Sequence, residues 1–271
     1  SVTFEGETVY PSTKATIRAL CQFSVGFVFQ EAQSSLNPVV SIGKQIVEVV
    51  KNSGTENTNI SQQKQKAINL LDEVEIDDPE RVYNLFPHQL SGGMKQRVMI
   101  AIALAKNPRL LIADEPTTAL DVSVQAKILK LIRQIQVKSG MGVLFITHDL
   151  AVAFEIADRI MVMKEGQIID CTSSKSFSSK KPSEYAKKLI SSLPSWSKRV
   201  SEGRTNFQDS EESILRVNNL SVSFQLKKNH IFSRRNFFKA IENVTFTLQK
   251  GRTLAVVGES GSGKTTLAKT I

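Results

Sequence analysis

The run Gly258-Glu259-Ser260-Gly261-Ser262-Gly263-Lys264-Thr265 has the residue types and spacing of a phosphate-binding loop, GxxxxGK[ST]. Its glycines let the backbone fold around an anion so that successive N–H groups point inward. The helix it opens adds a dipole that favours negative charge there. Lys264 is placed to contact the β- and γ-phosphates of a nucleotide and Thr265 to hold Mg²⁺, with Thr266 next in the same turn. A second run, Leu110-Leu-Ile-Ala-Asp114-Glu115-Pro116, is an apolar strand ending in two carboxylates. Asp114 suits a magnesium ion held through its water shell, and Glu115 suits polarising an attacking water. Alone that run is weak, because apolar strands often end in Asp-Glu. A third run, Leu90-Ser91-Gly92-Gly93-Met94-Lys95-Gln96-Arg97, sets Ser91 as a helix N-cap. Gly92 and Gly93 clear the helix N-terminus of side chains, which leaves bare N–H groups for an anion.

Together these runs resemble the ATP-binding-cassette family, and the resemblance extends over nearly the whole chain. Gln30, after Phe27-Val28-Phe29, is similar to the family's Q-loop glutamine, which helps ligate magnesium. Ala119-Leu120-Asp121 resembles its D-loop, and His148, after Phe145-Ile146-Thr147, its switch histidine. Phe224 sits where the family places an aromatic that stacks on adenine. The resemblance implies an α/β fold of the P-loop NTPase type, a mixed sheet with a helical signature subdomain. It implies ATP and Mg²⁺ as cofactors and Gln30, Glu115 and His148 as the catalytic set. Within the family, Ser34-Ser35-Leu36-Asn37-Pro38, Pro87-His88-Gln89 and Pro116-Thr-Thr-Ala-Leu-Asp-Val-Ser resemble ATPase subunits of bacterial importers for oligopeptides, dipeptides, nickel and glutathione. Glu31-Ala32, where that subgroup usually has Asp-Pro, is a departure that leaves the nucleotide chemistry untouched.

The elements that must carry these residues are legible as alternating apolar runs and helical periods, an α/β pattern. Strands are expected at Val25–Phe29, Leu110–Ala113, Val143–Thr147, Ile160–Met163 and Leu254–Val257. Helical periodicity marks Gln62–Val74, Val98–Ala105 and Val122–Gln136, the last with Ile128, Leu129, Ile132 and Ile135 on one face. Pro182–Leu193 reads as an amphipathic helix, Pro194–Ser213 as an aperiodic polar linker, and Leu215–Phe224 and Ile241–Leu248 as antiparallel strands flanking a basic loop. No apolar run reaches the roughly 18 residues a bilayer span needs. Cys21 and Cys171 are too few for a disulfide framework and are expected to be buried or incidental thiols in a reducing compartment. The net charge of +9 invites a nucleic-acid reading. Its scatter over Lys and Arg pairs in polar segments makes nucleic acid the weaker expectation.

The order of the motifs carries its own expectation. In one cassette the P-loop comes first, whereas here it comes last. That order predicts a segment of a tandem protein: residues 1–193 a first cassette lacking its P-loop region, 194–213 a linker, and 214–271 the start of a second cassette. In such proteins each ATP lies between the P-loop of one cassette and the signature of the other. A rival arrangement docks 214–271 on 1–193 as a circular permutant. Expected partners are integral-membrane permease subunits, a solute-binding protein indirectly and a second cassette, at the cytoplasmic face of the bacterial membrane. A soluble tandem ATPase acting on ribosome or DNA, and an inactive fragment, are the alternative readings.

Overall fold

In the computed structural model the described residues are 1–10, 13–30, 35–52, 59–118, 120–174, 183, 186, 212–225, 237–257 and 262–271. They divide into two compact units, 13–143 and 1–12 with 144–271. The expected helix at 182–193 and linker at 194–213 fall almost wholly outside the described residues, as do Gly258, Glu259, Ser260 and Gly261.

The unit 13–143 opens with α1 (Lys14–Phe23) and β3 (Val25–Val28), the label β3 following two short strands of the other unit, β1 (Val2–Phe4) and β2 (Glu7–Tyr10). Helices α2 (Ile42–Asn52), α3 (Ile60–Glu73), α4 (Pro79–Asn84) and α5 (Gly92–Leu104) follow, then β4 (Leu110–Asp114) and α6 (Val122–Ser139). Asn59 and Gln62 close a reciprocal capping box at the start of α3. Gly43 on α2 lies flat beneath Tyr83 of α4, where an added Cβ would stand 2.1 Å from the ring. Arg97 of α5 donates to the carbonyl oxygens of Val74 (2.6 Å) and Glu75 (3.1 Å) just past α3. Those bonds satisfy orphan carbonyls at that helix end and tie the signature helix to it. The core face foreseen on α6 forms, with Ile128, Leu129, Ile132 and Ile135 all buried. β3 and β4 pair in parallel, Val28 opposite Ala113. β4 is buried along its length, the reading of a strand covered on both faces.

In the second unit β5 (Gly142–Thr147, which begins at the boundary), α7 (Leu150–Ile156), β6 (Arg159–Lys164) and β7 (Gln167–Ser173) precede β8 (Ser213–Gln225), β9 (Phe237–Gln249), β10 (Thr253–Val257) and α8 (Lys264–Thr270). β10 lies between β5 and β6, pairing in parallel with β6, while β7 pairs antiparallel on the far side of β6. A separate sheet has the order β2-β1-β8-β9, with Val2 opposite Val217. Residues 212–271 are therefore built into one unit with 1–10 and 144–174. All five strands foreseen from apolar runs form, each within a residue or so of the expected ends, and β8 and β9 pair antiparallel as expected. Cys171 is exposed rather than buried: it lies on β7, an edge strand of this sheet, where the guanidinium of Arg159 donates to its sulfur at 3.3 Å. Among the described residues no helix is long and apolar enough to cross a membrane.

Candidate functional site

Parallel pairing of β3 with β4 sets Val28 beside Ala113, so the residues two places past that pair also come side by side. These are Gln30 and Glu115. The Gln30 amide donates from Nε2 to Glu115 Oε2 at 2.9 Å. The Thr118 hydroxyl donates to the same oxygen at 3.0 Å. Glu115 itself has φ of 48°, a left-handed backbone that turns the chain sharply off β4. The turn is closed by the Thr118 N–H bonding the Glu115 carbonyl at 3.1 Å. Asp114, the last residue of β4, is only 3% exposed, whereas Glu115 is half-buried. One carboxylate is thus set into the strand end and the next is turned out beside Gln30. Two adjacent acids acquire different surroundings from a single backbone turn.

The signature run lies in the same unit. Ser91 caps α5, its hydroxyl accepting from the Met94 N–H at 3.3 Å, and Ser91 and Gly92 are exposed. Asp121 caps α6, accepting from the Val124 N–H at 2.9 Å and the Ser123 hydroxyl at 2.7 Å. Those two donors, the backbone N–H first, hold its carboxyl below the ordinary value. The two helix starts touch, because a Cβ added to Gly93 would stand 2.7 Å from Cγ1 of Val124.

The described end of the phosphate loop, Ser262 to Thr266, lies in the other unit. Gly263 has φ of 95° and starts α8 with no side-chain cap. A Cβ on it would stand 2.6 Å from the Ala240 carbonyl oxygen. The Gly166 N–H donates to the Ser262 carbonyl at 3.2 Å, so the β6–β7 turn props the loop. Lys264 is buried, 5% exposed, and its ammonium lies 3.4 Å from the Ser262 hydroxyl oxygen. A buried ammonium in a glycine-led turn is suited to an anion. Thr265 is exposed and Thr266 half-buried on the first turn of α8. His148 follows β5 and is exposed, and the next residue, Asp149, caps α7 by accepting from the Ala151 N–H at 2.8 Å. Phe224 is 52% exposed near the end of β8, opposite Phe238 of β9.

The donors these residues offer are hard oxygens: the Asp114 carboxylate and the Gln30 amide oxygen in one unit, and the Thr265 hydroxyl in the other. Donors of this kind fit Mg²⁺, which prefers oxygen ligands and retains water. Thr118 and Val124 were not singled out in the sequence.

Comparison with known proteins agrees with these features. The family model described as "ABC transporter" matches residues 1–118 and 241–271, more than half of the chain. A peptidoglycan transport ATP-binding protein, YejF, of Agrobacterium fabrum is 38% identical over 267 residues, covering 98% of this chain and 47% of that protein. The glutathione import ATP-binding protein GsiA of Escherichia coli K12 is 37% identical over 277 residues, covering 95% and 44%. The chain spans less than half the length of these relatives. Among solved structures, the dimeric post-hydrolysis state of the ATP-binding cassette MJ0796 bound to ADP and Pi superposes with a TM-score of 0.57 at 29% identity, covering 63% of this chain and 71% of that one. The cbiO1 protein of Clostridium perfringens, part of the ABC transporter complex cbiONQ, gives a TM-score of 0.57 at 29% identity, covering 71% and 72%. With its signature helix, its strand-end carboxylates and its glycine-led lysine turn, this chain belongs to the ABC transporter family.

Proposed function

We propose that this chain is a segment of a tandem two-cassette ATPase that energises a bacterial importer of peptides or related small solutes, glutathione among them. The observation that carries the reading is a single alignment that takes in 98% of the chain and only 47% of a transport ATP-binding protein. Residues 1–193 are then the larger part of one cassette, 194–213 the linker, and 214–271 the opening of the next. Membrane permeases, reached through the cytoplasmic face, are the partners. A solute-binding protein delivers cargo to them. The reading on ribosomes or DNA has less support, since the relatives named above are transport proteins.

In this reading Lys264 binds the β- and γ-phosphates, with the backbone N–H groups of Gly258, Glu259, Ser260, Gly261, Ser262 and Gly263 around them and Thr266 at the α-phosphate side. Thr265 would hold Mg²⁺ at the phosphates bound by Lys264, while Asp114 and Gln30 would hold it at the other nucleotide, that of their own cassette; bound there it would neutralise phosphate charge. Ser91, Gly92 and Gly93 close on the γ-phosphate bound by another cassette, with Asp121 beside them. Phe224 stacks on the adenine. At the nucleotide of its own cassette, Glu115 accepts a proton from water, whose oxygen attacks the γ-phosphorus. The bond to the β–γ bridging oxygen breaks and its electron pair leaves on ADP, while His148 supports the γ-phosphate oxygens.

The tests separate binding from hydrolysis. Lys264→Ala should abolish binding of a fluorescent ATP analogue to the purified chain, and binding indifferent to Lys264 removes the phosphate-loop assignment. In the full-length protein Glu115→Gln should lower hydrolysis at its site by two or more orders of magnitude while ATP still binds. Hydrolysis retained there removes Glu115 from its role.

A further inference from the structure

We infer that Thr118 is a positioning residue for Glu115, holding the carboxylate in its working orientation from within its own turn. The inference rests on the proposed role of Glu115. Glu115 Oε2 accepts two hydrogen bonds, from Gln30 at 2.9 Å and from Thr118 at 3.0 Å. The two donors differ in how they are tied. Thr118 is bound to Glu115 twice within one turn, by its hydroxyl and by its N–H to the Glu115 carbonyl at 3.1 Å. Any movement of the turn carries Thr118 and Glu115 together. Gln30 is 85 positions away in sequence and reaches the carboxylate with a long side chain from the neighbouring strand end.

Of the two donors, Thr118 is the one tied to the same turn as the carboxylate, and Gln30 the one that reaches it from another strand end. A glutamate has three side-chain torsions, and the Thr118 hydroxyl restrains them from within the turn. Without it the productive orientation is diluted among other rotamers. The cost falls on the chemical step rather than on ATP affinity, because Thr118 acts on the base and not on the phosphates.

The experiment uses the full-length protein, taking the hydrolysis lost on Glu115→Gln as the share of this site. Thr118→Val, which keeps the shape and removes the hydroxyl, should cut that share about tenfold in kcat with KM for ATP unchanged. Thr118→Ser should restore it, and Thr118→Val should add nothing on top of Glu115→Gln. Full activity in Thr118→Val overturns the inference while leaving Glu115 in place. So does a Thr118→Ser variant as impaired as Thr118→Val and melting at a lower temperature, since that marks packing rather than positioning. If Glu115→Gln itself leaves the rate intact, the role of Glu115 falls and Thr118 falls with it.

Discussion

Gly93 stands in the first turn of one helix and Gly263 caps another, each proposed to meet phosphate, and they are glycines for different reasons. At Gly263 the backbone is at φ of 95° and an added Cβ would meet the Ala240 carbonyl oxygen at 2.6 Å. Both obstacles are main chain: one is the residue's own conformation, the other the carbonyl of Ala240 on β9. At Gly93 φ is negative, and the Cβ would meet a side-chain methyl of Val124 at 2.7 Å. Only one side chain forbids it. Glycine is therefore built into the fold at the phosphate loop, whereas at the signature it is a contract between two helix starts that a second substitution can rewrite.

The largest effect is expected at the phosphate loop. Gly263→Ala should destabilise the chain by about 2 kcal/mol or more, from left-handed strain and the carbonyl contact together. Lys264-dependent nucleotide binding should be lost as well. No side-chain change at position 240 should rescue it, because the obstructing atom is backbone. A Gly263→Ala variant that melts normally and binds nucleotide within about threefold of the parent would erase the distinction.

At the signature the expected change is smaller and reverses sign. Gly93→Ala gains roughly 0.5–1 kcal/mol of helix propensity but overpacks Val124, at a cost of about 1–3 kcal/mol. The variant should come out modestly destabilised. In a Val124→Ala background the contact is gone, and Gly93→Ala should then stabilise by up to about 1 kcal/mol. Denaturant midpoints of the four variants give the coupling directly. Equal effects of Gly93→Ala in both backgrounds would mean that Val124 is not the reason for the glycine.

Much of this was legible in the sequence because local rules and fold agree. The strands on either side of the chemistry are apolar runs, and Ser91 caps its helix by residue type alone. The approach of Gln30 to Glu115 could be anticipated only through the family resemblance, since residues 85 apart meet through strand pairing that no local pattern encodes. The left-handed turn at Glu115 was not readable, because glutamate has no preference for that backbone. It persists because Thr118 closes the turn by both main chain and side chain. The two glycines looked alike in sequence for the same reason: a contact with Ala240 or Val124 belongs to packing. β1, β2, α4 and α7 went unforeseen because they are short, whereas α1 and α2 are amphipathic and went unforeseen although their period was there to read.

The smallest expected effect lies at the start of α6, which presses Val124 against Gly93. The Asp121 carboxylate accepts from Val124 N–H and the Ser123 hydroxyl, and these bonds hold its pKa below the ordinary 3.8. A depressed folded-state pKa means that the cap's ionic contribution is fully present above 3.8 and is lost as pH falls through the lower folded value. Asn caps a helix about as well as Asp but does not titrate. Asp121→Asn should therefore melt close to the parent at pH 7, and the parent should lose slightly more stability than the variant on acidification below pH 4. Because α6 and α5 meet at Val124 and Gly93, that acid loss should include the amides of the signature turn, read as faster hydrogen exchange at Met94 and Lys95 in the parent alone. Equal acid sensitivity of the two proteins at those amides would mean that the start of α6 does not support the signature glycines, and the contract between the two helix starts would reduce to steric contact.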